Sequence, residues 1–253
     1  HKEEVTQGLF RYVFPPEPGK HYSFNLFVLL APEERRALLI DTGFEPHAAA
    51  VAEDLGADGY AVTDVVLSHL HDDHFLGLRP LPPVTLHASP NAREALSRLY
   101  APEDLALFSP DDPLADGSSF AFGPFRLTFV EAPGHSPCSL FTVIDDGIVH
   151  VGDLVMASEE GVPILPYVEF DDVAAHIETL ERLLGSVNHT LLLGHGPNLV
   201  GDEAIEKAIG HRLCYLRAVL AGEGKLTYEE SMADCPGTFV HTEWHARAPE
   251  IES

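Results

Sequence analysis

The apolar run Val65-Val66-Leu67 leads without a break into Ser68-His69-Leu70-His71-Asp72-Asp73-His74. The continuous branched run reads as a buried strand over residues 62–68. Its end carries five side chains of metal-ligand type within six residues: His69, His71, Asp72, Asp73 and His74. A strand end opening into a loop is a usual place for a site on an α/β scaffold, because the strand is rigid and the loop can take any shape. In a turn, alternate residues such as His69 and His71 face one point, while Asp73 and His74 face a second. Neutral imidazole and carboxylate together suit zinc, iron or manganese. The fifteen His in the chain equal its Lys and Arg together, a second hint of metal.

Strands and helices alternate around this segment. Residues 22–31 are aromatic and branched and read as a strand. A polar tip at residues 33–36 leads to a second strand, 37–40, ending in the turn signal Asp41-Thr42-Gly43. Residues 46–55 are helical, with Pro near the start and Gly56 just past the end. Residues 84–88 form a strand, and Ser89 caps a helix over 90–100. Residues 101–117 are rich in Pro and acid and read as irregular. Strands 120–122 and 125–130 flank Gly123-Pro124, and strands 139–144 and 148–151 flank Asp145-Asp146-Gly147, giving two hairpins. Asp171 and Asp172 lead into a helix to about residue 184, residues 190–193 form a short buried strand, and residues 202–220 form a long amphipathic helix. Strands lead in both halves and helices follow each cluster. This predicts a four-layer α/β sandwich of two mixed β-sheets with outer helices. Residues 1–222 are expected to form the catalytic domain. Residues 223–253 are an acidic extension holding Trp244, which packs on the body or serves an oligomer such as a homodimer.

The chain has 253 residues, with fifteen Lys and Arg against forty Asp and Glu, a formal net charge of −25. Such a surface repels phosphate backbones and lacks the basic stripe that docks on anionic membranes, so a small molecule is the expected partner. The longest apolar stretch, residues 26–31, is far short of the roughly 20 residues that span a bilayer. The segment His1-Lys2-Glu3-Glu4 is polar and does not read as a secretory signal. Cys138, Cys214 and Cys235 are odd in number and widely spaced. They read as reduced thiols of a cytoplasmic protein, with no disulfide framework and no CxxC knuckle.

His69-x-His71-x-Asp73-His74 resembles the HxHxDH signature of the metallo-β-lactamase superfamily. Further pieces match in order: Asp41-Thr42-Gly43, Pro133-Gly134-His135-Ser136, Val151-Gly152-Asp153 and Leu193-Gly194-His195-Gly196. The likeness spans roughly residues 22–200 and implies an αβ/βα sandwich, in agreement with the pattern above. It also implies two divalent transition metals, zinc foremost and iron or manganese as alternatives. His69, His71 and His135 would hold one metal. Asp73, His74 and His195 would hold the other, with Asp153 bridging. Two such metals about 3.5 Å apart share a water and lower its pKa. The resemblance therefore implies a dinuclear hydrolase in which a metal-bridging hydroxide cleaves a small ester, thioester or lactone. Asp73 is the candidate to orient the nucleophile or shuttle a proton. Asp41 is the candidate to hold the ligand loop.

Branches of the superfamily differ in fit. Ribonuclease-like members need a phosphate-attracting surface. Secreted β-lactamases normally lack the bridging aspartate, and flavodiiron proteins carry a carboxylate where this chain has His71. Glyoxalase II thioesterases resemble the metal motifs but add C-terminal basic residues for glutathione, which are sparse here. Lactonases fit in metal set and size, and the Phe170-Asp171-Asp172 segment resembles a signalling thioesterase-like branch. A non-haem iron dioxygenase acting on a thiol or persulfide is the redox alternative, and a metal-containing non-catalytic signalling protein the third. Tyr22, with His21, lies before the first core strand and Tyr167 lies in the loop after Asp153, so both are candidates for the pocket. Ser136 reads as a turn residue, because no GxSxG elbow surrounds it. His176 reads as a partly exposed helix residue, and His211, His241 and His245 as surface histidines.

Overall fold

A hairpin that the sequence pattern does not announce opens the chain: Lys2–Thr6 (β1) and Leu9–Phe14 (β2) pair antiparallel. β1 is an edge strand whose residues are nearly all exposed, so it carries no hydrophobic alternation to read. The computed structural model describes residues 1–16, 21–99, 108–145, 147–168, 172–185 and 189–247. The chain continues through Phe24–Ala31 (β3), Arg36–Ile40 (β4), Glu45–Ala57 (α1), Ala61–Val66 (β5), Asp72–Phe75 (α2), Thr85–Ala88 (β6), Ala92–Leu99 (α3) and Asp112–Pro113 (β7). The second half holds Ser119–Phe122 (β8), Phe125–Glu131 (β9), Leu140–Ile144 (β10), Ile148–His150 (β11), Val173–Leu184 (α4), Thr190–Leu192 (β12), Leu199–Val200 (β13), Asp202–Ala221 (α5) and Tyr228–Ser231 (α6).

Two mixed sheets result, in the order β1-β2-β3-β4-β5-β6-β7 and β13-β12-β11-β10-β9-β8. Period-two alternation sorts the apolar side chains into layers. On β3, Phe27 and Leu29 face inward, while Leu26 and Val28 face outward. On β4, Leu38 and Ile40 face inward, and Ala37 and Leu39 outward. The inward set meets Leu127, Phe129, Leu140, Ile144 and Leu192 of the second sheet and seals the two sheets together. Outside the first sheet lie Val51 and Leu55 of α1 with Phe75 and Leu78; outside the second lie α4 and α5. The four predicted layers are therefore present. Removing a ring such as that of Phe27, which is fully buried, would cost about 3–5 kcal/mol.

Several sequence expectations are corrected. β3 begins at Phe24, so Tyr22 and Ser23 precede the strand. His176 is fully buried on α4, because that face of the helix packs against Gly134, where a Cβ would lie 2.4 Å from the His176 Cα. His211 is buried because the tail folds back and stacks Phe239 on its ring, with centroids 4.0 Å apart. His241 and His245 are half-buried rather than on the surface, and Tyr215 and His245 share a 2.8 Å hydrogen bond. Cys214 and Cys235 are joined in a disulfide, with Cα atoms 5.6 Å apart, and Cys138 is a buried free thiol. The reading of three reduced thiols therefore fails, and the compartment drawn from it loses its basis. Among the described residues no helix is long and apolar enough to cross a membrane. The expectations placed on residues 100–107, Asp146, Phe170 and Asp171 lie outside the described residues.

Four described side chains of the extension, those of Tyr228, Met232, Phe239 and Trp244, pack with the core of the body. Thr227 and Glu230 form a capping box that starts α6, and Tyr228 and Met232 then join the core beside α5. Val240 bridges to Ile164, in the loop that follows Asp153.

The disulfide closes a loop of 21 residues, for which the chain-entropy argument gives a stabilisation of about 3 kcal/mol. Thiol titration in denaturant should find one free thiol before reduction and three after. Cys235→Ser should lower the urea-derived stability by about that amount. Three thiols without reductant would contradict the pairing.

Candidate metal centre

Parallel strand pairing gathers the donors. β4 and β5 run parallel with Ile40 opposite Val66, and Asp41 N–H donates to Val66 O at 2.9 Å. The turn after β4 therefore lies beside the loop after β5, which carries His69 and His71, with Asp73 and His74 on α2. β11 and β12 also run parallel, with His150 opposite Leu192, and Gly194 N–H donates to Gly152 O at 3.1 Å. This brings the Asp153 and His195 loops together. His135 follows β9. Backbone bonds across the sandwich, Leu140 N–H to Ser68 O at 2.8 Å and Asn25 N–H to Gly194 O at 3.0 Å, close the two sheets at this edge.

All seven predicted donors converge there. His71 Nδ1 lies 3.1 Å from His69 Nε2 and 2.9 Å from His135 Nε2. Asp153 Oδ2 is central, at 3.8 Å from His69, 3.7 Å from His135, 3.3 Å from His74 and 3.2 Å from His195. His195 Nε2 reaches Asp73 Oδ2 at 3.4 Å. The donors form two groups, His69-His71-His135-Asp153 and Asp73-His74-His195, in each of which the ligand atoms lie within 4.8 Å of one another.

The outer ring nitrogens are fixed by acceptors. His135 Nδ1–H donates to Tyr167 O at 2.9 Å, and His195 Nδ1–H to Ser23 O at 2.7 Å. His74 Nδ1–H donates to Asp41 Oδ2 at 2.8 Å. Ser68 donates twice to Asp41, from its N–H and its Oγ–H, each at 2.7 Å. With that hydroxyl proton committed, His69 Nδ1 donates to Ser68 Oγ at 3.1 Å. In a neutral ring, a proton on the outer nitrogen leaves a lone pair on the inner one. Inward lone pairs some 3 Å apart repel unless a proton or cation lies between them. Asp153 Oδ1 is buried with no hydrogen-bond partner among the described residues. Imidazole and carboxylate donors in two groups, with the Asp153 carboxylate between them and one of its own oxygens orphaned, fit two divalent cations of borderline softness.

The two groups differ in charge. Burial opposes ionisation throughout. At His195 the carboxylates of Asp153 and Asp73 outweigh it and push the ring up to about 10, and at His74 Asp153, Asp41 and Asp73 likewise raise it. Against the same burial, His74 and His195 hold Asp73 down to about 2 and Asp153 well below the usual carboxylate range. In the other group burial prevails: His135, also repelled by His71, is pushed down to about 3, and His69 and His71 are lowered too. Three rings are thus neutral and ready to ligate, and two must release protons first.

Two glycines make the approach feasible. A Cβ on Gly194 would lie 2.6 Å from Asp153 Oδ1 and 2.9 Å from His74 Cε1. One on Gly77 would meet Thr42 O at 2.3 Å, so the loop after α2 can lie directly on the Asp41 turn.

The donors floor a cleft of about 290 Å3 that Tyr22, Met156, Tyr167 and Trp244 wall. Tyr22 and Tyr167, named from the sequence, both line it. His21 stays exposed beside His241. Sequence reasoning missed Ser68, Ser23, Asn25 and Trp244. Asn25 Nδ2 donates to Leu193 O and Gly196 O, both at 2.8 Å, and fixes the His195 loop. A polar amide inside the apolar run of β3 was a usable signal for it. Ser68, next to His69, was another.

The sequence profile of the metallo-beta-lactamase superfamily matches residues 24–195, and the chain belongs to that superfamily. It is 30% identical over 190 residues to "Probable metallo-hydrolase YqgX" of Bacillus subtilis (strain 168), covering 68% of this chain and 85% of that one. It is 30% identical over 156 residues to a hydroxyacylglutathione hydrolase of Fuscovulum blasticum, covering 59% of this chain and 56% of the relative. It is 32% identical over 130 residues to the mitochondrial persulfide dioxygenase ETHE1 of Homo sapiens, covering 49% and 45%. The chain thus spans only about half the length of these last two. Among solved structures, a metallo-beta-lactamase from Pontibacter korlensis superposes with a TM-score of 0.67 at 18% identity, covering 86% of this chain and 98% of that one.

Buried histidines set a stability profile for the metal-stripped protein. His135 at about 3, and His150 and His176 at about 4, stay neutral when folded because burial disfavours their charge. Below pH 6.5 the unfolded chain binds the protons that the folded one refuses, so stability falls with falling pH. His195, raised to about 10, has the opposite sign: its contribution is complete below pH 6.5 and is lost as pH rises to about 10. The urea midpoint should therefore peak near pH 6.5 and drop at both pH 4.5 and pH 9.5. A midpoint constant from pH 7 to pH 4.5 would contradict the burial.

Proposed function

We propose that this chain is a dinuclear metal-dependent hydrolase of small esters, thioesters or lactones. The observation that supports it most is the convergence of seven donors in two groups about Asp153, with four of the rings oriented by Asp41, Ser68, Tyr167 O and Ser23 O. His69, His71 and His135 would hold one metal and Asp73, His74 and His195 the other, with Asp153 between them; zinc is the first choice and iron or manganese the alternatives. When bound, two divalent metals supply Lewis acidity that acidifies a water and polarises a carbonyl.

The remaining work falls to the chain. Asp73 is the donor best placed to hold or move a proton, because its side chain is 20% exposed and borders the cleft, against 6% for Asp153. Its carboxylate is anionic down to about pH 2, so at neutral pH it is no proton donor and acts as a hydrogen-bond acceptor that orients a nucleophile. Tyr22 and Tyr167 wall the space over the donors and confine an acyl group there. The sandwich interior excludes water behind the site, where His69, His74 and His195 are all buried.

Natively purified protein should carry two transition-metal ions per chain and turn over at least one member of a panel of thioesters, lactones and aryl esters. His69→Ala should lose metal and reduce turnover below a hundredth. One iron per chain, with oxygen consumed on a thiol or persulfide and no hydrolysis, would replace this reading with the dioxygenase one. Metal without any turnover would favour a signalling role. Asp41→Asn should weaken metal affinity about 10–100-fold, as for other groups that orient metal-ligating histidines, which a competition titration with a chelating dye measures.

A further inference from the structure

The tail supplies one wall of the cleft. Trp244 lies 5.3 Å from the ring of Tyr167 and 6.3 Å from that of Tyr22, both edge-on. Tyr22 in turn sits 4.6 Å from the His195 ring, and Tyr167 sits 6.0 Å from those of both His71 and His135. Three rings therefore stand around the space directly above the donors. Trp244 is held in place: its ring stacks on that of His241 at 4.7 Å with planes 16° apart, and its backbone N–H donates to His241 O at 3.1 Å. His241 is itself paired with Glu243 at 2.8 Å. A ring fixed in advance adds contact area at little entropic cost.

Charge is distributed just as unevenly. None of the described residues lining the cleft is Lys or Arg. Two guanidiniums lie behind its walls, and both are committed to the scaffold. Arg11 is buried, donates to Gly196 O at 2.7 Å and pairs with Glu3. Arg212 is buried and donates to Met156 O and to Ala208 O. Among the described residues the cleft offers a substrate's own carboxylates no Lys or Arg, only donor imidazoles set among the Asp73 and Asp153 carboxylates, and a chain of net charge −25 surrounds it. The volume of about 290 Å3 lies at the small end of ligand cavities.

We propose that Trp244 is a specificity-determining residue that selects compact substrates with an uncharged, apolar acyl or ring portion and disfavours anionic carriers such as glutathione. This rests on the hydrolase reading for the reaction, but binding alone tests the selection. Trp244 is the one Trp in the chain, so its fluorescence reports directly on the wall. The probes are N-hexylacetamide and S-hexylglutathione, which share the hexyl group and resist hydrolysis. N-hexylacetamide should give a saturable fluorescence change, with S-hexylglutathione binding at least tenfold more weakly. In turnover, Trp244→Ala should raise KM at least fivefold for a neutral hexanoyl thioester, with kcat within twofold and metal content unchanged, and Trp244→Phe should recover most of the loss. Equal or tighter binding of S-hexylglutathione, no fluorescence response to either probe, or an unchanged KM in Trp244→Ala would overturn the proposal. Binding with this selectivity but no turnover of any substrate would sink the hydrolase reading while leaving the selection intact.

Discussion

The carboxylate of Asp41 is 1% exposed and accepts three hydrogen bonds, from Ser68 N–H, Ser68 Oγ–H and His74 Nδ1–H, at 2.7–2.8 Å. A buried carboxylate left bare would cost several kcal/mol, so this saturation is a condition of the fold as well as of the site. The three bonds tie the turn after β4 to the loop after β5. They orient His74 directly and His69 through Ser68. The clamp continues along the chain: Thr42 N–H and Oγ1–H both donate to His74 O, and Gly77 N–H donates to Gly43 O. Asp41 itself has a φ of +60°, a left-handed conformation that costs a non-glycine residue about 1 kcal/mol or more. Three charge-assisted hydrogen bonds, at roughly 1.5–3 kcal/mol each, outweigh that strain. The geometry of the donors thus depends on a residue that none of them touches except His74.

This dependence explains why so much of the site was legible in the sequence. The donors follow strand ends, and strand ends are marked by apolar runs and turns, which are local signals. Val65-Val66-Leu67 before His69, and Ile148 to Val151 before Asp153, place their donors without long-range information. Asp41 was legible for the same reason, as the turn at the end of β4. What was missed depends on tertiary contact. His176 sits in an ordinary amphipathic helix pattern, and only the close approach of Gly134 buries it. His211 looks like a surface residue until Phe239 returns to stack on it. Cys214 and Cys235, 21 residues apart, meet only because the tail turns back along α5. β1 shows no alternation, because an exposed edge strand has no buried face.

The acidic composition takes on a more local meaning in the folded chain. The carboxylates that count are few: Asp41, Asp73 and Asp153, all facing histidines. They divide five imidazoles into two sets, one kept neutral by burial and one kept protonated by Asp153 and Asp73. The cations near the site have the converse role. Arg212 is buried without a carboxylate among the described ion pairs, its pKa pulled down to about 10 by burial, and its hydrogen bonds go to backbone carbonyls. It braces the loop that carries Met156 instead of meeting a substrate. Arg11 does the same for the His195 loop. Among the described residues the cleft is therefore lined by aromatic rings, Met156, imidazoles and two carboxylates, although two guanidiniums brace the loops around it.

In the function proposed here, chemistry and selection reside in different parts of the chain. Every donor lies between residues 69 and 195, inside the region shared with the superfamily, and each is anchored to a strand end or to the short helix that follows it. Such anchoring suits groups that must hold fixed positions around a metal. Trp244 lies about fifty residues beyond the last donor, on a segment tied to the body by a stacked ring and a disulfide. A tail fastened at several points can place one aromatic side chain reliably without sharing the constraints of the sheets. A scaffold built this way can keep one reaction centre and change which acyl group reaches it by changing the wall alone.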